Sequence, residues 1–189
     1  MVRVQREIIS ISTKKESSYS IDYSEVSLND TDFDVLLLEG DIYNDPRLMD
    51  FLMQQSKFDS VVCWLMGTHY SRGHNDVIDH TSMPTPLHYR IHIQNRVYEL
   101  ADVILRSGGV LHIVDRGQPL TTAEMIADLK ASHEDQASVT SLDVRDIETR
   151  EYSEPTSGVG MCATITEHNK SSPKDFKNLC FYSILSSKP

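Results

Sequence analysis

The stretch Ile91 to Arg116, IHIQNRVYELADVILRSGGVLHIVDR, leaves few options for the rest of the chain. Ile93, Val97, Leu100 and Ile104 recur at steps of four, three and four, which places them on one face of a helix, while Gln94, Arg96, Glu99 and Asp102 fall largely elsewhere. Such a face needs a sheet to cover. Ser107, Gly108 and Gly109 are expected to end the helix, because glycine enters the left-handed backbone region without strain. Val110 to Val114 is then an apolar run of strand length, interrupted by His112. Helix, glycine turn and buried strand form the repeating unit of a doubly wound α/β sheet, whose ligands sit beyond the carboxyl ends of the strands. Asp115 and Arg116 lie at such an end.

Upstream, the same pattern recurs. Tyr19 and Ile21 are strand-like, Asp22 closes that strand, and Ser24 caps a short helix to about Leu28. Val35 to Leu38 is a continuous apolar run suited to a strand covered on both faces; Gly40 breaks it and Asp41 follows. Asp45 and Pro46 start a helix with Leu48, Phe51 and Leu52 on one face. Ser60 to Leu65 is a further buried strand, stopped by Gly67. A long polar loop, residues 69–86, should hang over the strand ends. Gln5 to Ser12 alternates weakly, and Ile8, Ile9 and Ile11 fit equally one side of a short helix.

Downstream, Thr121 or Thr122 caps a helix to about Ser132 with Met125, Ile126 and Leu129 as its apolar face, followed by a polar turn, HEDQAS. Ser138 to Ile147 and Asn178 to Ser186 are strands, and residues 153–177 mix turn residues with one apolar run.

At 189 residues the chain suits a single domain. Its 28 acidic against 18 basic residues give a formal charge of −10, which opposes binding to nucleic acid or an anionic membrane. No apolar run approaches the ~18 residues of a membrane span, and Met1 to Ser10 lacks the apolar core of a secretory signal, so a cytoplasmic protein is expected. Cys63, Cys162 and Cys180 contain no CxxC pair, which argues for reduced thiols over a disulfide framework or a cysteine zinc site.

Four pieces in this order resemble the class I methyltransferases that use S-adenosylmethionine: IDYS at Ile21–Ser24, LLEGDI at Leu37–Ile42, FDSVVCWLMG at Phe58–Gly67 and YELADVILRSGGVLHIVD at Tyr98–Asp115. The ending FYSILSSKP looks like the last, antiparallel strand of that fold. The resemblance spans most of the chain from about residue 5 and implies an α/β, Rossmann-like sheet, mostly parallel with an antiparallel last strand. By the same resemblance Asp22 would accept hydrogen bonds from both ribose hydroxyls, Asp41 would receive the adenine amino group, and Ile42 would pack on the base. Cys63, Trp64 and Leu65 would border the methionine part and the reacting methyl. The implied activity is methyl transfer to a small-molecule or protein acceptor. His69, directly after a strand end, is the candidate to take the acceptor's proton.

One departure bears on the whole pattern. The family carries a glycine-rich turn after its first strand, roughly twenty residues before the ribose acid. Here 21 residues precede Asp22 and no glycine precedes Gly40. The resemblance therefore implies a sheet without its first strand, with Gln5 to Glu16 as the remains of the first helix. The edge left open should be covered by another segment, a second copy or a partner chain. The alternative function is a noncatalytic interaction or scaffold subunit that has lost cofactor binding.

Several residues have plainer readings. GVGMCA at Gly158–Ala163 fits G-x-G-x-x-A, but REYSEPTS before it is no apolar strand, so a surface turn is expected. His69, His74, His80 and His88 crowd the loop with Asp76 and Asp79 in no HExxH spacing, and no metal site is expected. Asp22 and Asp41 could also cap helices. Cys63 has no visible activating base, His112 reads as a hydrogen-bonded core histidine, and Lys188 as a solvated terminus.

Overall fold

In a computed structural model of the chain, the described residues are 2–5, 8–11, 19–22, 35–38, 42, 46–55, 57–66, 85–152 and 179–189. They form β1 (Val2–Gln5), β2 (Ile8–Ile11), β3 (Tyr19–Asp22), β4 (Val35–Leu38), α1 (Pro46–Gln54), β5 (Phe58–Trp64), α2 (Pro86–Ile104), β6 (Leu105–Gly117), α3 (Ala123–Ala137), β7 (Asp143–Tyr152) and β8 (Leu179–Ser187). The chain divides into two compact units, residues 1–55 with 67–96, and residues 56–66 with 97–189.

In the first unit β1 pairs with β4 in parallel, Val2 opposite Val35 and Gln5 opposite Leu38. β2 pairs with β3 in antiparallel fashion, Ile8 opposite Asp22 and Ile11 opposite Tyr19. Of the two readings open for Ile8 to Ile11, the strand holds, which corrects the helix expected over Gln5 to Glu16 at Gln5 and at Ile8 to Ile11; residues 6–7 and 12–16 lie outside the described residues. β-Branched isoleucines lose rotamer freedom in a helix and fit a pleated strand.

In the second unit a four-stranded sheet runs in the order β5-β6-β8-β7. β5 and β6 are parallel, and β8 is antiparallel to both β6 and β7. Three strands thus run one way and the last in sequence runs back between two of them. This is a mixed α/β sheet with an antiparallel last strand. Among the described residues no strand pairs with the outer edge of β5.

One face of this sheet is the core. Leu111, Ile113, Ile184 and Ser186 are buried on it, together with Val97, Tyr98, Leu100, Ala101 and Ile104 of α2. Each large aliphatic side chain removed from water contributes about 2 kcal/mol. The Tyr98 hydroxyl lies 3.1 Å from Nδ1 of His133 on α3. It also faces Ser186, whose hydroxyl approaches without closing a well-aligned bond. The opposite face is open, with Val62 and Trp64 more than half exposed.

The end of α2 departs from expectation. The helix stops at Ile104 and β6 begins at Leu105, so Ser107 to Gly109 do not terminate the helix. The orphaned carbonyls of its last turn are met by lysines: Lys57 donates to Val103 and Lys188 to Asp102. Two ammonium groups at the negative end of the helix dipole do the work expected of the glycines. The glycines instead form an irregularity in the β5/β6 ladder, where Phe58 faces Leu105 but Ser60 faces Val110. Gly108 has φ +75°, and a Cβ on Gly109 would meet the Arg106 carbonyl at 2.9 Å. Lys188 is accordingly a tether; its ammonium also lies 3.8 Å from the Asp102 carboxylate.

α3 also runs further than expected. Thr122 caps it, its hydroxyl accepting from the Met125 amide at 3.2 Å. HEDQAS is not a turn, because the helix reaches Ala137, Lys130 pairs with Glu134 at 3.7 Å, and Ser138 closes onto Asp135. Its buried residues are His133 and Ala137, whereas Met125 and Ile126 are exposed. His133, which meets Tyr98, and Ala137 mark the inward side of this helix.

Candidate functional site

The carboxyl ends of β5 and β6 lie side by side because the strands are parallel, Cys63 opposite Ile113 and Trp64 opposite Val114. One more backbone bond, from the Leu65 amide to the Val114 carbonyl at 2.7 Å, carries the ladder past the end of β5. There the chain turns sharply. Leu65 has φ +53°, the left-handed region in which a branched side chain is strained by about 1 kcal/mol. No other non-glycine among the described residues has a positive φ. Strain of this kind persists where the surroundings over-determine it, and here it sits at a strand end.

Around that turn the side chains divide between the two faces. Cys63 is half-buried on the core face, and burial first and the Asp115 carboxylate second push its thiol above the usual cysteine range. A protonated thiol is a wall, not a nucleophile. The Asp115 carboxylate accepts the Arg116 amide at 2.8 Å. Trp64 is 60% exposed on the open face, where its indole N–H donates to Nδ1 of His112 at 3.3 Å. On the same face Arg116 lies opposite Phe181, which stacks on Tyr152 at 4.0 Å with planes 7° apart.

Of the residues expected to hold a cofactor, Cys63, Trp64 and Leu65 are brought together at the tip of β5. Asp22 ends β3 in the other unit, opposite Ile8, and Ile42 is in a turn. Asp41 and His69 lie outside the described residues, as do Gly158 to Ala163. His88 belongs to the first turn of α2 and not to the loop, with its Nδ1 2.6 Å from the Thr85 hydroxyl. His112 faces the open side of the sheet and not the core, and the stack of Tyr152 on Phe181 beside Arg116 joins residues that no motif connects. The signal for His112 was the alternation in VLHIVD: Leu111 and Ile113 share one face, so His112 takes the other.

The strand order bears out a mixed α/β sheet with the antiparallel last strand that the resemblance implied. Neither a family model nor a curated protein matches the chain. Solved structures similar to it include a SAM-dependent methyltransferase from Methanosarcina mazei, with 11% identity and a TM-score of 0.40 over 82% of this chain and 68% of that one. Another is the precorrin-6y C5,15-methyltransferase of Geobacter metallireducens, with 13% identity and a TM-score of 0.35 over 81% of this chain and 54% of that one. A third is a Thermoplasma acidophilum protein described as a methyltransferase, with 8% identity and a TM-score of 0.37 over 81% of this chain and 45% of that one. The chain spans about half the length of the last two. With every TM-score below 0.5, the order of strands within the sheet, and not these likenesses, defines the fold.

Among the described residues no helix is long and apolar enough to cross a membrane.

Proposed function

We propose that the chain binds S-adenosylmethionine and transfers its methyl group to a small-molecule or protein acceptor. The observation that carries this reading is the strained turn at Leu65, which closes β5 beside β6 in a methyltransferase-like sheet, with Trp64 on one face of that tip and Cys63 and Asp115 on the other. An aromatic face suits a sulfonium cation, and a protonated thiol does not compete for the methyl. The bound cofactor would supply a methyl already made electrophilic by its sulfonium. The protein's share is to orient the acceptor and remove its proton.

In this reading Asp22 and Asp41 hold the ribose and the adenine, Ile42 packs on the base, Trp64 and Leu65 border the methionine part, and His69 takes the acceptor proton. Calorimetric titration with S-adenosylhomocysteine tests it. Binding that weakens about tenfold or more in Asp22→Ala or Asp41→Ala, the equivalent of one lost charge-assisted hydrogen bond, is the expected result. No heat at millimolar ligand removes the reading.

A further inference from the structure

Trp64 is the chain's one tryptophan. Its indole and the His112 imidazole meet edge to face, centroids 5.8 Å apart and planes at 81°, with the indole N–H on Nδ1 at 3.3 Å. On the other side of the imidazole, Nε2 lies 2.9 Å from the Ser183 hydroxyl. Three adjacent strands, β5, β6 and β8, thus each give one polar group to a chain across the open face of the sheet.

The chemistry of the three groups fixes the direction of that chain. An indole nitrogen only donates, whereas a hydroxyl can donate or accept. Nδ1 must therefore be the bare nitrogen, and the neutral ring carries its proton on Nε2, which donates to Ser183. A second proton would sit on Nδ1 and meet the indole N–H donor to donor. The imidazolium cannot keep Trp64 in this orientation.

We propose that His112 is a positioning residue for Trp64: in its neutral form it fixes the indole beside the left-handed turn at Leu65, and on protonation it releases the indole. Among the described residues, the immediate neighbours on the open face carry no charge: Ser60 and Val62 on β5, Val110 and Val114 on β6, Leu185 and Ser187 on β8. Charged groups among the described residues stand further off, on β7 and toward the end of β6. Asp146 stands opposite Leu185 and Glu148 opposite Ser183, while Asp143 pairs with Arg145 at 3.2 Å. Arg116, four residues along β6, donates to the Tyr152 hydroxyl at 3.5 Å, and Arg150 faces Phe181. Among the described residues, only Trp64 and Ser183 touch the His112 ring with polar atoms. The consequence for ligand binding rests on the methyl-transfer reading; the hold on the indole does not.

Tryptophan emission tests the proposal directly, because all of it comes from Trp64. Acidification should produce a step in the emission of the unmodified protein. His112→Asn places an amide oxygen where Nδ1 was and cannot be protonated, so its emission should stay in the high-pH form throughout. His112→Phe has no acceptor and should show the low-pH form at every pH, with far-UV circular dichroism unchanged. A step that survives in His112→Asn, or its absence from the unmodified protein, overturns the proposal. If His112→Phe fails to fold, the asparagine variant alone decides.

Calorimetry with S-adenosylhomocysteine at neutral pH supplies the second arm. His112→Asn should bind within about twofold of the unmodified protein and His112→Phe about fivefold or more weakly, roughly 1 kcal/mol. Equal binding by all three proteins overturns the positioning role. Failure of all three to bind, with the emission behaving as stated, removes the methyl-transfer reading and leaves the hold on Trp64 in place.

Discussion

A thiol at the end of a parallel strand can serve as nucleophile or as wall, and at Cys63 two neighbours choose the wall. Burial disfavours the thiolate, and the Asp115 carboxylate disfavours it further. Iodoacetamide near neutral pH should therefore label Cys63 more slowly than a small free thiol. Asp115→Asn should speed that labelling, since loss of the anion lowers the thiol's pKa; peptide mapping separates Cys63 from the other two cysteines. An unchanged rate would assign the whole effect to burial. At this scale the sequence was a partial guide. Gly67 advertised the end of β5, yet the left-handed residue is Leu65, because the ladder bond to Val114 fixes where the chain must turn. His112 is legible as hydrogen-bonded, and alternation sets it opposite Leu111 and Ile113, but the apolar Val110 and Val114 on its own side mask that this face is the open one.

Periodicity located α2 well: Ile93, Val97, Leu100 and Ile104 are each 5% exposed or less. It could not locate the helix's end, because the groups that satisfy its carbonyls come from residues far along the chain. Lys57 and Lys188 lie 46 and 86 residues from the carbonyls they reach. Lys188→Met keeps the aliphatic stem and removes the charge. It should cost about 1–2 kcal/mol, measured by urea unfolding, with the loss reduced at high salt. A loss under a few tenths of a kcal/mol would return the capping role to the backbone. α3 teaches the same lesson in reverse. Its amphipathic pattern pointed to Met125 and Ile126, but the contact that holds it is made by His133 with Tyr98.

For the molecule as a whole, the order of elements in the second unit was legible from the sequence. Its strand pairing came only from the resemblance, as the in-line apolar runs do not say which strand neighbours which. Within the apolar core these elements also share a polar contact. Tyr98 joins α2 to α3 through His133 and faces Ser186 of β8. Burial raises the Tyr98 phenol above the ordinary tyrosine range, with Ser186 partly opposing the shift. Ionisation then favours the unfolded chain, so this contribution is intact below about pH 10 and is lost as pH rises further. Tyr98→Phe removes the hydroxyl that His133 meets and should cost about 1–3 kcal/mol at neutral pH while flattening the alkaline loss, as read by unfolding midpoints across pH.

β8 comes last in sequence among the strands of its sheet but occupies an interior position, between β6 and β7. Among the described residues β7 therefore has no hydrogen-bonding neighbour until residues 179–187 arrive, although it is translated before them. During synthesis β5, α2 and β6 can associate early, through contacts close in sequence. The other half of the sheet must wait and then close in one step, with β8 entering as a wedge between two waiting edges. Such a topology places the slow event of folding after β8 has been made and makes the interval before it the one in which β6 and β7 are most open to wrong partners.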